Sequence, residues 1–266
     1  MKPPLALLFL TGSFFPAMAN ATLVGLWQFE GGYADSSGSG NDGAAVGSVS
    51  LVPGQSGFGQ AASFTGGNSH VLVADSDTLD LGTGSALTIA AWVNHSDPNW
   101  AHILAKAPGT GAQSNRPGNY SLRLNTGSKV SEFLYQNTTG DPNNFNPAGS
   151  SLTGTLANTW THLAVTISTA GGVTYYLNGV PDGTDTVTDF GRTNNDPLYL
   201  GNRADFFTGL TGLLDDVAIF DEELSQSQIQ TIGAGDFSAY VIPEPAASFL
   251  LALGGLVMGF RRRRLA

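Results

Sequence analysis

Leu87-Thr88-Ile89-Ala90-Ala91-Trp92-Val93 is the stretch whose reading decides the fold. In an extended chain successive side chains point to opposite faces. Leu87, Ile89 and Ala91 therefore share one face, and Thr88, Ala90 and Trp92 the other. Runs of the same kind recur on both sides of it, separated by Gly, Asn, Asp and Pro. They are Leu23–Phe29, Ala61–Phe64, Val71–Val73, Ile103–Lys106, Tyr120–Leu124, Val130–Tyr135, Thr161–Ile167, Val173–Leu177, Leu198–Gly201 and Leu213–Phe220. In Tyr120–Leu124 the alternation sets Tyr120, Leu122 and Leu124 toward a core and Ser121 and Arg123 toward water. Trp27, Trp92 and Trp160 fall inside strand patterns and are read as core residues.

The strongest turn signal is Tyr175-Tyr176-Leu177-Asn178-Gly179-Val180, because Asn-Gly accepts positive φ at both central positions of a two-residue hairpin. One short helix is predicted over Gln226–Ile232, with Ser225 as its N-cap. No internal repeat is present, which disfavours a propeller. About a dozen strands in one domain predict an all-β fold, a two-sheet antiparallel jelly-roll sandwich.

Composition bounds the chemistry. Of 266 residues 41% are hydrophobic, enough for a full core. There is no Cys, so disulfides, thiolate zinc sites and cysteine nucleophiles are excluded. The balance of 21 acidic to 11 basic residues argues against a nucleic-acid partner, which needs clustered Lys and Arg. Four of those basic residues are consecutive, Arg261, Arg262, Arg263 and Arg264. Setting aside Lys2 and the tail leaves an acidic domain with a charge of about −14.

The two ends explain the imbalance. Residues 1–19 have the layout of a secretory signal peptide: Lys2, an apolar stretch from Leu5 to Phe15, then Ala17-Met18-Ala19 as a small-x-small cleavage signal. Residues 234–242 read as a linker. Residues 243–266 hold Pro243-Glu244-Pro245, an apolar run from Ala246 to Phe260 and the Arg block. As a helix the run would span about 22 Å, against a hydrocarbon core of ~30 Å. The basic cluster would stay cytoplasmic and leave residues 20–233 outside. This tripartite end resembles the PEP-CTERM sorting signal of Gram-negative bacteria. The resemblance implies recognition and cleavage by the membrane protease called exosortase, and a destination at the cell surface or in the extracellular matrix.

The middle of the chain resembles LamG-like jelly-roll domains of the concanavalin A-like lectin/glucanase class. The matching landmarks, in order, begin with Gly25-Leu26-Trp27-Gln28-Phe29-Glu30, Asp35-Ser36-Ser37-Gly38 and Phe58-Gly59-Gln60-Ala61-Ala62-Ser63-Phe64. The Leu87–Val93 strand follows, then Trp160-Thr161-His162-Leu163-Ala164-Val165, the Asn178-Gly179 hairpin and Gly212–Phe220 with Leu224-Ser225. The resemblance implies a calcium site joining the first loop to the last strand. Carried over by position, its ligands are Asp35 and Asp216, with Asn41 or Asp42. Asp-Ser-Ser-Gly also suits an Asx turn on its own, and Asp216 also fits solvated strand alternation.

Catalysis has little support in the sequence. Glycoside cleavage needs a carboxylate pair at a defined separation, and no Glu-x-Asp-x-x-Glu pattern occurs among the five Glu. No Gly-x-Ser-x-Gly elbow is present, and His70, His95, His102 and His162 lack zinc-site spacing. Asp75-Ser76-Asp77-Thr78-Leu79-Asp80 starts like an EF-hand but lacks its Gly and distal Glu, and reads as a loop. Binding of polysaccharide remains as the favoured function, with a polysaccharide-active enzyme and a purely structural matrix role as alternatives. Sugars are held by an aromatic face and planar polar groups. The candidates are Trp100 in a polar loop, Asn144 and Phe145 in the 136–150 segment, and Asn195, Arg203 and Phe206 in the 193–207 segment.

Mass spectrometry of the exported protein is expected to show a C-terminus without the Arg261–Arg264 block. An intact C-terminus at Ala266 would refute processing.

Overall fold

The computed structural model describes residues 21–80, 86–96, 100–106, 119–127, 129–135, 146–187, 189–191, 193–203 and 208–241. In chain order its strands are β1 (Leu23–Trp27), β2 (Gly43–Val46), β3 (Val49–Pro53), β4 (Gln60–Thr65), β5 (His70–Val73), β6 (Leu87–His95), β7 (Ala101–Lys106) and β8 (Tyr120–Leu124). They continue with β9 (Ser131–Tyr135), β10 (Asn146–Pro147), β11 (Thr161–Ser168), β12 (Gly172–Leu177), β13 (Val180–Asp185), β14 (Leu198–Leu200) and β15 (Thr211–Phe220). One helix, α1 (Gln226–Gly233), follows. Every pairing between strands is antiparallel. The first sheet has the order β13-β12-β11-β6-β15-β4-β3, with β1 also on β15; the second has the order β10-β9-β8-β7-β14-β5-β2.

The predicted jelly-roll sandwich is what forms. The inner faces interdigitate into one core. From the first sheet come Leu87, Ile89, Ala91 and Val93 of β6 and Leu163, Val165 and Ile167 of β11; from the second come Val71, Val73, Leu122, Leu124 and Phe133. Tyr175 ties the layers with a polar bond: its hydroxyl donates to the Ala148 carbonyl at 2.7 Å and accepts from Phe133 N at 2.9 Å. Asn178 and Gly179, at φ 51° and 75°, form the two-residue turn joining β12 to β13. Helix α1 starts at Ser225 with a reciprocal capping box to Gln228. It lays Ile229 and Ile232 on a second apolar cluster on the outer face, with Leu26, Ala90, Ala218, Phe220 and Phe237. The chain stays on this face as far as Tyr240, whose ring meets Phe220 edge-on at 4.9 Å.

Four elements escape the sequence pattern, and the reasons are physical. β2 and β3 are short and half-exposed, β10 is a single short pair, and β13 contains Pro181 and Gly183. Sheet edges tolerate such residues. Trp27 is a core residue, fully buried, with its indole N–H donating to the Asn41 carbonyl at 3.0 Å. Trp92 and Trp160 are only half-buried, which corrects the core assignment for both. For Trp92 the alternation in β6 already set it on the face of Ala90, opposite the core. Ser121 faces away from the core as expected but is buried rather than wet.

Two buried histidines oppose folding in acid. Burial lowers His162 to about 4, and lowers His102 well below its usual value, where the charges of Arg203 and Arg123 add to the effect. Above pH ~6.5 both rings are neutral in either state and contribute nothing to the pH dependence. As pH falls from there toward 4, the unfolded chain takes up protons that the two folded imidazoles resist, and their contribution to stability falls. Denaturant titrations of wild type and His162→Phe across this window are expected to show a shallower decline in the variant, by about 2–3 kcal/mol at pH 4. Parallel declines would remove His162 from the account.

Candidate functional site

β15 carries the first site because it changes partner halfway. Thr211–Leu214 pair with β4, whereas Val217–Phe220 pair with β1. Against β6, on its other side, the register slips between Asp215, opposite Trp92, and Ala218, opposite Ala90. One extra residue is thus accommodated as a β-bulge, and Asp216 adopts a left-handed φ of 46°. The bulge concentrates acidic groups. Asp216 Oδ1 accepts from Gln28 Nε2 at 3.3 Å, and the Asp215 carboxylate accepts from Asp216 N at 2.8 Å. The other Asp215 oxygen is buried without a hydrogen-bond partner. Glu30 reaches the same region, accepting from Gln60 N at 3.1 Å; a Cβ at Gly59 would collide with its carboxylate.

Burial, then the Asp216 charge, raises Asp215 to about 8, with Glu30 adding to the shift. Burial raises Asp216 to about 6, opposed by the Gln28 hydrogen bond and reinforced by Glu30. These are carboxylates held against one another with no positive charge among the described residues contributing to their balance, an arrangement a cation would relieve. A depression of about 250 Å³ opens here, lined by Gln28, Glu30, Phe58, Gly59, Asp216 and Gly235. Among the described residues no three His, Asp or Glu side chains converge on one point. A cation would therefore draw on Glu30 and Asp216 together with amide and main-chain oxygens. Such a mixed oxygen set suits calcium.

Asp35, Asn41 and Asp42 lie in a hydrogen-bonded loop. Asp35 accepts four hydrogen bonds: from Leu26 N at 2.9 Å, Ser37 N at 2.8 Å, Ser37 Oγ at 2.8 Å and Asn41 N at 2.9 Å. Asp42 accepts from Asp35 N at 2.9 Å. Asn41 donates to the Val24 carbonyl at 2.6 Å and Thr78 Oγ1 at 2.9 Å. The loop is a self-satisfied knot on the free edge of β1, whereas Asp216 is held by Gln28. Of the residues around this depression the sequence reading singles out Asp216, but not its neighbours Gln28 and Glu30. Their signal was the polar alternation continuing past Trp27, facing the glycine-rich Gly57-Phe58-Gly59 turn.

A second cluster lies on the second sheet, on strands β7, β8 and β9. The Arg123 guanidinium sits over the Trp100 ring, 4.2 Å from its centroid. Arg123 also pairs with Glu132, its cross-strand neighbour, at 2.9 Å, and Glu132 accepts from Asn125 Nδ2 at 2.9 Å. His102, opposite Arg123 on β7, is fully buried and feels the charges of both Arg123 and Arg203. Trp100 and Arg203, far apart in sequence, thus flank one locus. Asn195 lies elsewhere: it is exposed and lines a depression of about 380 Å³ with Asp77, Asp80, Thr193 and Asn194. Beside that depression the buried Lys106 ammonium meets Asp75 at 2.7 Å, Asp80 at 3.2 Å and the Asp196 carbonyl at 2.7 Å. Asp75 and Asp80 of the EF-hand-like run therefore serve as counter-ions to a lysine. Asn144, Phe145 and Phe206 lie outside the described residues, as do Ala17 and Ala19 and the sorting residues Pro243, Glu244, Pro245 and Arg261–Arg264. Among the described residues no helix is long and apolar enough to cross a membrane.

Two antiparallel sheets packed face to face, with polar clusters at a bulge and on the second sheet, define a jelly roll of the lectin type. Residues 65–230 match the model of the concanavalin A-like lectin/glucanases superfamily, and the chain belongs to it. Domain 4 of AbnA, an extracellular GH43 arabinanase from Geobacillus stearothermophilus solved with arabinotriose, is similar with a TM-score of 0.60 and 20% identity. The match covers 80% of this chain and 98% of that one. The binding domain of Paraclostridial Mosquitocidal Protein 1 gives a TM-score of 0.63 at 16% identity, covering 80% of this chain. The botulinum neurotoxin serotype G binding domain gives 0.59 at 14%, covering 81%. The match spans 52% and 51% of those two toxin domains. No curated protein matches the chain. The fold is thus shared by a domain of a glycosidase and by toxin binding domains.

Asp35→Ala is expected to cost about 3 kcal/mol in chemical denaturation, because it strands several donors of the knot. The response of the melting midpoint to a calcium chelator should stay as in wild type. A variant that loses that response while keeping its stability would return Asp35 to the metal site.

Proposed function

We propose that the chain is an exported, non-catalytic protein that binds extracellular polysaccharide through the second sheet. In this account residues 1–19 direct export, and residues 243–266 hold the protein at the membrane until an exosortase cleaves it. The observation that carries the binding role is the Trp100–Arg123–Glu132–Asn125 row. A half-buried indole, a guanidinium, a carboxylate and an amide stand side by side, their planar groups already oriented by bonds to one another. A sugar chain meeting this row finds directed donors and acceptors at little further cost in side-chain ordering. The arabinotriose bound to the similar arabinanase domain makes carbohydrate the natural ligand class.

The same row argues against hydrolysis. Glycoside cleavage needs one carboxyl group to protonate and a second to attack or to activate water. Glu132 is committed to Arg123 and Asn125. Calcium belongs to the account at the bulge. Glu30 and Asp216 would hold it, with Gln28 and the Gly57–Gly59 turn completing an oxygen set. There it would supply structural charge balance, fastening the turn to β15.

The test is a glycan-binding screen of the purified protein with and without calcium, run beside a reducing-sugar assay. Trp100→Ala is expected to weaken binding at least about tenfold, some 1.4 kcal/mol, with an unchanged melting midpoint. A chelator is expected to lower that midpoint in wild type and to leave Asp216→Asn unaffected. Release of reducing ends would overturn the non-catalytic assignment. Undiminished binding by Trp100→Ala would remove the row, and a midpoint blind to chelator, with no calcium by elemental analysis, would remove the metal.

A further inference from the structure

A third depression lies on the outer face of the first sheet, where the end of α1 crosses β6 and β11. It measures about 230 Å³, and Trp92, His162, Asn178, Ile229 and Gly233 line it. No charged side chain is among its lining residues. Two rings hold the Trp92 indole: Phe58 meets it edge-on at 5.5 Å and the His162 ring is tilted against it at 5.3 Å. Its N–H donates to the Gly233 carbonyl at 3.2 Å.

His162 is the unusual member. It is 3% exposed, and its Nδ1 has no hydrogen-bond partner. Leaving such an atom unpaired in an apolar setting is costly, and that cost is recovered when a ligand supplies a partner. Gly233 packs against this buried nitrogen, and a Cβ there would stand 3.0 Å from it. Asn178 lies alongside, its side-chain oxygen taken by His162 N at 3.0 Å. Gln226 and Gln230 both donate to the Gly179 carbonyl, at 3.2 and 3.1 Å, and so lock the hairpin turn to the helix that roofs the space. The depression is therefore bounded by elements pinned to one another.

We propose that this depression binds one neutral sugar residue, its C–H face on the Trp92 indole and a hydroxyl on His162 Nδ1. A neutral imidazole nitrogen is either a donor or an acceptor according to tautomer, and a hydroxyl group serves both. The flat apolar floor suits the C–H face of a pyranose or furanose ring, and the volume suits a single ring. The absence of charge in the lining gives uronates and phosphosugars no advantage. The inference rests on the carbohydrate reading above but places this contact on the opposite sheet from Trp100, so the two can fail separately.

The test follows the Trp92 indole N–H by NMR while the full-length protein is titrated with free glucose, galactose, xylose and arabinose, and with glucuronate as the charged comparison. A saturable shift of that resonance with at least one neutral sugar is expected. Gly233→Ala, which fills the space beside Nδ1, and His162→Phe, which keeps the ring but removes the nitrogen, should each weaken the response at least tenfold. Trp100→Ala should leave it unchanged, and that result supports this pocket even if the second sheet binds nothing. No shift with any neutral sugar, a stronger response to glucuronate, or equal binding by Gly233→Ala would overturn the proposal. So would a response lost in Trp100→Ala and kept in Gly233→Ala.

Discussion

Much of this molecule hangs on one extra residue in β15. Leu214 and Val217 both face the core, although two residues stand between them. Strict alternation would send Asp216 inward and turn Val217 and Ile219 out. The bulge absorbs the surplus, and holding a non-glycine residue at positive φ costs of the order of 1–3 kcal/mol. In return both halves of the strand keep their apolar faces on the same core. The same irregularity lets β4 end and β1 begin along one edge of β15, and the acidic depression occupies that changeover.

The carboxylates of this acidic chain are managed in distinct ways. Asp35 is satisfied by main-chain and hydroxyl donors. Glu132 is paired with Arg123, and Asp75 and Asp80 with the buried Lys106. Burying an ammonium is tolerable only because two carboxylates and a carbonyl surround it, and removing either acid would leave an uncompensated charge inside. At the bulge, Asp215 and Asp216 are buried and, among the described residues, are set against each other and Glu30, and their proton affinities rise accordingly. The contrast between settled and unsettled acids separates scaffold from candidate site better than their exposure does, since Asp216 and Asp215 are both buried.

The sequence made the sandwich legible wherever burial imposed a period. The strands carrying Leu87–Val93, Tyr120–Leu124 and Thr161–Ile167 are core strands, and an alternating pattern is what a half-buried sheet demands. The Asn178-Gly179 turn and the Ser225 cap were legible because φ and hydrogen-bond geometry narrow the choice of residue at those points. β2, β3 and β13 were not, since edge strands are selected for solubility more than for packing. At the candidate sites the sequence singled out Asp216, Trp100 and Arg203 but not their companions Glu30, Arg123 and His102. Which residues stand beside them is decided by strand order and by the β15 register shift, neither of which leaves a local mark.

The pairing of Leu23 with Phe220 has a kinetic side. Among the described residues β1 pairs with β15 alone, almost two hundred positions further along, so β1 cannot dock until nearly all of the domain that follows it is available. Closing so long a loop comes late, and topologies dominated by such contacts fold slowly. Until β15 arrives, β4 and β6 also lack the neighbour between them. Among the described residues, neither half of the first sheet is complete until β15 takes its place between them.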